Sequence, residues 1–211
     1  MSCVIPKDYI YINNVISPEI QDLIIDQIFL DWANDLRFSY EQHTVTNDTE
    51  SFLEEHVFKL HPNVNIDRSK IKEHFQFVHT FDYKGLESTG YKFLFYHLIQ
   101  SLNDNVEGWV KRNPESMRGK INIVTPQPDY PVDGYSMPHT DSDQDNFYTL
   151  LYYINDSDGD TKLFMDDGEI LSFSPKKGSA LLFRSNIVHS GRPPEKSANR
   201  AVINYLFKLG E

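Results

Sequence analysis

From about residue 120 onward the chain is a succession of short β-rich runs: "KINIVT", "NFYTLLYYI", "TKLFM", "EILSF", "GSALLFR" and "RAVINYLFKL". Gly, Asp, Asn and Pro turns separate them, and no helical spacing intervenes. Closely spaced strands in that order predict an antiparallel sandwich or barrel. The first half reads differently. In "SPEIQDLIIDQIFLDWAND", Ser17 can cap, Pro18 suits the first helical position, and Ile20, Leu23, Ile24, Ile28 and Trp32 recur at helical spacing. A second helix is predicted in "STGYKFLFYHLIQSLNDNVEGWV", with Tyr91, Leu94, Phe95, Leu98, Leu102 and Val106 on one stripe. Segment 37–87 mixes short aromatic runs with polar turns and suggests no function. The expectation is an α+β chain forming a single domain. Residues 1–118 would be a helical buttress and mixed segment, and residues 119–209 a core of jelly-roll type.

At 211 residues the chain is long enough for one sizeable core, and 13% aromatic content favours a packed protein over a disordered one. The formal charge of −11 repels polyphosphates and anionic membrane surfaces, so no nucleic-acid or membrane partner is expected. Cys3 is the only cysteine, which rules out an internal disulfide and a cysteine-rich zinc site. The start, "MSCVIPKDYIYINN", lacks a basic segment followed by an apolar one, and no apolar run approaches the ~20 residues that span a bilayer. These features predict a soluble, cytoplasmic protein.

One short stretch, "YSMPHTDSD", carries chemistry. A lone H-x-D is a weak motif, but on an extended segment residues i and i+2 face the same side, so His139 and Asp141 can converge on one point. A third ligand should come from a distant strand, and His189, at the end of "LLFRSNIVHSG", supplies it. Two imidazoles and a carboxylate form a facial triad that leaves adjacent positions open on Fe(II). Eleven residues further on, Arg200 opens another strand, sharing a face with Val202 and Asn204. A guanidinium deeper in a barrel can grip a carboxylate through two parallel hydrogen bonds.

In its order His139-Thr140-Asp141, His189, Arg200, the chain resembles the 2-oxoglutarate/Fe(II)-dependent oxygenases, and within them the prolyl 4-hydroxylase-like branch. The strands "LLYYIND" (150–156), "DGDTKLF" (158–164) and "PKKGSALLF" (175–183) are similar to that branch over roughly residues 119–208. The resemblance implies a double-stranded β-helix (jelly-roll) core with N-terminal supporting helices. It also implies Fe(II) on His139, Asp141 and His189, with 2-oxoglutarate as co-substrate, O2 as oxidant and ascorbate as reductant. By the same likeness Tyr153 would place its hydroxyl on the distal carboxylate of 2-oxoglutarate, and Asn122 would contact the same molecule. The implied reaction is hydroxylation of an unactivated C–H bond with decarboxylation of 2-oxoglutarate to succinate and CO2. The substrate would be a prolyl or other peptidyl residue, or a free amino acid or other small molecule. Two departures stand out: many prolyl hydroxylases carry lysine where this chain has Arg200, and the lead-in "TPQPDYPVDGYSM" is longer than usual.

Other chemistries share some of these residues. A His/His/carboxylate set also makes catalytic zinc sites, but a hydrolase has no need for a buried guanidinium after the third ligand. A non-catalytic jelly-roll metal-binding module would keep the fold without turnover. "DSDQDN" and "NDSDGDTK", counted from Asp141 and Asp156, have neither glycine at the sixth position nor glutamate at the twelfth of a calcium loop and are turns. The remaining histidines (43, 56, 61, 74, 79 and 97) lack metal spacing and are taken as structural.

Overall fold

The computed structural model describes residues 8–30, 36–45, 48–83, 86–87, 89–105 and 114–209. Its elements are β1 (Tyr9–Ile12), α1 (Pro18–Ile25), β2 (Ser39–Glu41), α2 (Thr49–Phe52), β3 (Gln76–Tyr83), β4 (Leu86–Glu87) and α3 (Thr89–Asn105), followed by β5 (Pro114–Val124), β6 (Phe147–Tyr153), β7 (Thr161–Phe164), β8 (Ile170–Phe173), β9 (Ala180–Arg184), β10 (Val188–Gly191) and β11 (Arg200–Leu209). Two sheets face each other. The larger runs in the order β1-β9-β6-β11-β5-β3-β2, with β4 attached to β3; the smaller is β10-β7-β8. Every ladder within them is antiparallel, as the missing crossover helices require.

Three apolar layers follow from the alternation along these strands. Leu151, Tyr153, Leu181, Phe183 and Val202 point from the large sheet toward Leu163 of the small one, filling the interior of the jelly roll. Residues of opposite parity, among them Ile121, Leu150, Tyr152, Ile203, Tyr205 and Phe207, face outward and meet Leu94, Phe95, Leu98 and Leu102 of α3 and Ile24 of α1. This is the expected buttress, and it explains why β6 and β11 are apolar on both faces. On the far side, Leu53 and Val57 pack against Tyr135, Met137, Phe164 and Val188, covering the small sheet.

Three details differ from the sequence reading. The first predicted helix holds α-geometry only to Ile25 and continues as a wide turn over Asp26–Leu30; Trp32 and Val106 lie outside the described residues. Segment 37–87 supplies β2 and β3, so the large sheet draws on both halves of the chain. The apolar run ending at His189 is not one strand. It breaks at Ser185–Ile187, leaving β9 in the large sheet and β10 in the small one. Hydrogen bonds from Ser185 N–H to Phe147 O and from Ile187 N–H to Arg184 O make that turn. No described helix is long and apolar enough to cross a membrane.

Candidate active site

His139 arrives on an extended lead-in that is clamped on both sides. Tyr135 N–H donates to Lys70 O, Ser136 N–H donates to Gly191 O, and His139 and His189 exchange backbone hydrogen bonds of 3.0 and 2.9 Å. The lead-in thus extends the small sheet by one irregular strand, which puts the two imidazoles side by side with ring centroids 4.5 Å apart. Asp141, two residues on, donates its N–H to Ser185 O at the turn between the sheets. One ligand atom from each of His139, Asp141 and His189 lies within 4.8 Å of the others.

The surroundings prepare these groups to take a metal. Nδ1 of His139 meets Met137 O at 3.0 Å and Nδ1 of His189 meets Ile187 O at 3.1 Å, so each ring protonated at Nδ1 leaves Nε2 free. Asp141 Oδ1 accepts from Arg118 Nη2 at 2.6 Å and Oδ2 from Thr149 Oγ1 at 2.7 Å. Burial opposes the Asp141 charge, yet Arg118, the two imidazoles and Lys120 outweigh it and hold the carboxyl well below the usual carboxylate range. Burial, together with His189 and Lys120, lowers His139 to about 4 despite Asp141, and burial lowers His189 as well. A carboxylate beside two neutral imidazoles is the donor set a divalent cation needs, and these residues fit Fe(II).

His139 and His189 of the triad line a cavity of about 70 Å³. Its wall is built from inward-facing residues of β5 and β11: Lys120, Asn122 and Val124 beside Arg200, Val202 and Asn204. Arg200 is buried at one end, with Nε donating to Gly159 O and Nη2 to Thr161 Oγ1, both at 2.8 Å. A Cβ on Gly159 would lie 2.6 Å from Arg192 O and 3.0 Å from Arg200 Cδ, so only glycine lets the chain pass the guanidinium so closely. Thr161 Oγ1 also accepts from the Tyr153 hydroxyl at 2.8 Å, in a site whose burial pushes that phenol up to about 12.

Structure therefore brings His139, Asp141 and His189 to one point and places Arg200 and Asn122 on the same cavity. Tyr153 lies in the interior behind Thr161, joined to Arg200 through it. Sequence reasoning missed Arg118, Lys120, Thr149, Thr161 and Glu73. The last accepts from Met137 N–H at 2.6 Å and from Thr44 N–H at 2.6 Å, pinning the lead-in to segment 42–45. The only signal for Arg118 and Lys120 was their shared parity with Asn122 on one strand. Glu73 and Thr44 had none, because their contacts depend on how segment 37–87 folds back.

Residues 129–208 match the model of the 2OG-Fe(II) oxygenase superfamily, a span that contains the triad and Arg200. That stretch of the chain is similar to the superfamily over the residues that carry the candidate site. With the His139, Asp141 and His189 cluster inside the matched stretch, the chain is an oxidoreductase whose chemistry uses Fe(II), 2-oxoglutarate and O2. No curated protein sequence matches it. Among solved structures it is similar to a prolyl hydroxylase from Trichoplax adhaerens in complex with a hypoxia inducible factor oxygen degradation domain peptide fragment. That likeness has 18% identity and a TM-score of 0.56, over 95% of this chain and 83% of the other. It is also similar to the epimerase SnoN of nogalamycin biosynthesis, in complex with Fe3+, alpha ketoglutarate and nogalamycin RO (10%, 0.57, 95% and 78%). A third likeness is to the viral collagen prolyl hydroxylase vCPH of Paramecium Bursaria Chlorella virus-1, as its 2OG complex (17%, 0.50, 96% and 97%). At such identities these likenesses establish the jelly-roll fold.

Proposed function

We propose that the chain, acting as a single domain, hydroxylates a peptidyl side chain, prolyl in the first instance, with His139, Asp141 and His189 holding Fe(II). The observation that carries this reading is the convergence of the three ligand atoms at one end of a cavity whose other end is closed by a buried guanidinium. The metal, with 2-oxoglutarate and O2, supplies the oxidising power that turns C–H into C–OH as 2-oxoglutarate becomes succinate and CO2.

The chain's own residues bind and orient. Arg200 offers its guanidinium to the far carboxylate of 2-oxoglutarate, with Thr161 fixing its direction and Tyr153 fixing Thr161. Asn122 lines the cavity two ladder pairs along from Arg200, and its buried Oδ1 has no partner among the described residues, as suits a carboxamide that meets a polar ligand. Leu151, Val124 and Val202 form the apolar part of a wall that is otherwise polar, with Thr44, Gln76 and Ser136 also on the cavity.

The experiment is incubation with Fe(II), 2-oxoglutarate, ascorbate and a library of proline-containing peptides, followed by mass spectrometry. Gain of one oxygen on a prolyl ring with matching succinate is expected. Oxygen gained only on free amino acids or other small molecules would replace the peptidyl reading.

A further inference from the structure

Lys120 is the one cation of the cavity wall without a hydrogen bond or ion pair among the described residues. It projects from β5 into the cavity, partly buried, on the same strand face as Arg118 and Asn122. Its charge acts on all three triad residues, yet Asp141 is already bonded to Arg118 and Thr149, and Glu41 to Gln76. A lysine held in a cavity without a partner is costly, because water no longer solvates its charge fully. Directly across the ladder stands Asn204, buried, lining the same cavity, with a side-chain oxygen that also lacks a partner. Neither group serves the core: both face inward beside the triad, at the end of the cavity away from Arg200.

We infer that Lys120 and Asn204 are a specificity-determining pair that receives a carboxylate of the primary substrate beside the metal ligands. This rests on the 2-oxoglutarate/Fe(II) reading above. The chemistry follows from spacing. Neighbouring strands lie about 4.8 Å apart, so a carboxylate between these two side chains can give one oxygen to the ammonium and the other to the carboxamide N–H. The carboxamide oxygen then remains to accept an N–H, which an amino acid or a peptide bond next to the carboxylate provides. Arg200 is separately occupied at the far end, bonded to Gly159 and Thr161, so two anion-binding positions exist on one cavity. The substrate is accordingly an acid: a free amino acid, or a peptide whose reacting residue neighbours Asp or Glu.

The test uses the full chain loaded with Mn(II), which leaves it redox-silent, and saturated with 2-oxoglutarate. Matched pairs are titrated by calorimetry: L-proline against L-prolinamide, and a proline peptide with a flanking Asp against the same peptide with Asn. The acid is expected to bind at least about tenfold tighter than its amide in one pair or both, the worth of one charge-assisted contact. Lys120→Met should erase that preference while 2-oxoglutarate still binds, and Lys120→Arg should keep part of it, which separates lost charge from lost folding. Acid and amide binding alike, or neither binding, would overturn the inference. So would loss of 2-oxoglutarate affinity in Lys120→Met, because the lysine would then serve the co-substrate. Failure of the wild type to bind 2-oxoglutarate would instead sink the underlying reading.

Discussion

Arg118 Nη2 stands 2.6 Å from Asp141 Oδ1, so the carboxylate of the triad is already an ion pair before any metal arrives. Asp141 is buried while Arg118 remains partly open to solvent. The pair therefore fixes the carboxylate's orientation and also offsets its desolvation.

Arg118→Leu should lower the stability of the metal-free protein by about 2–3 kcal/mol, the cost of leaving a buried carboxylate short of its strongest partner. A divalent cation can replace that missing charge. Mn(II) should then raise the Tm of the variant by more than it raises that of the wild type, by linkage. Equal shifts in a thermal melt would show that Arg118 and the metal do not share Asp141.

Glu73 gathers the N–H groups of Thr44 and Met137 onto one carboxylate, and Met137 O in turn holds the His139 ring. Glu73→Gln replaces an acceptor with a donor facing one of those N–H groups. A loss of about 1–3 kcal/mol in urea unfolding is expected, with weaker Mn(II) binding by calorimetry. Unchanged metal affinity would mean that the lead-in is held without Glu73.

Thr161→Val removes the one oxygen shared by Arg200 and Tyr153. Affinity for 2-oxoglutarate should fall about tenfold, because the guanidinium loses a fixed direction but keeps its charge. A Kd equal to that of the wild type would show that Gly159 O alone aims Arg200.

The histidines give a pH dependence with a definite sign. His139 takes up a proton near pH 6.5 when unfolded but only near 4 when folded, so the unfolded chain binds more protons between those values. Stability of the metal-free protein should therefore fall as pH drops from about 6.5 toward 4. The slope of urea midpoints over that window should be shallower in His139→Gln. Identical slopes would show that His139 is not held neutral by its burial.

How far these features were legible before the structure depends on the range of the contacts behind them. The i, i+2 placement of His139 and Asp141 follows from the extended backbone alone, and the alternation in "NFYTLLYYI" and "RAVINYLFKL" is a local property of pleated strands. The stripe Leu94, Phe95, Leu98, Leu102 likewise announces a helix with one buried face, and α3 buries it. Other features needed the third dimension. Arg118 lies 23 residues from Asp141, and Glu73 lies 64 from Met137; no local period links either pair. The break at Ser185–Ile187 was hidden because "LLFRSNIVH" is apolar on both sides of the turn, although the two strands lie in different sheets. Tyr153 shows the limit of reading by position: its hydroxyl meets Thr161, and the link to Arg200 appears only when β6, β7 and β11 are brought together.

In the proposed reading His139, Asp141 and His189 hold a metal on which 2-oxoglutarate binds with its far end on Arg200. Anaerobic calorimetric titration of 2-oxoglutarate into the Fe(II)-loaded chain tests it most directly, beside His139→Ala and Arg200→Ala. The expected result is stoichiometric binding to the wild type, none that depends on Fe(II) in His139→Ala, and affinity weakened by roughly 2–3 kcal/mol in Arg200→Ala, the worth of a charge-assisted pair. Binding that is indifferent to the metal, or equal in all three proteins, would contradict it.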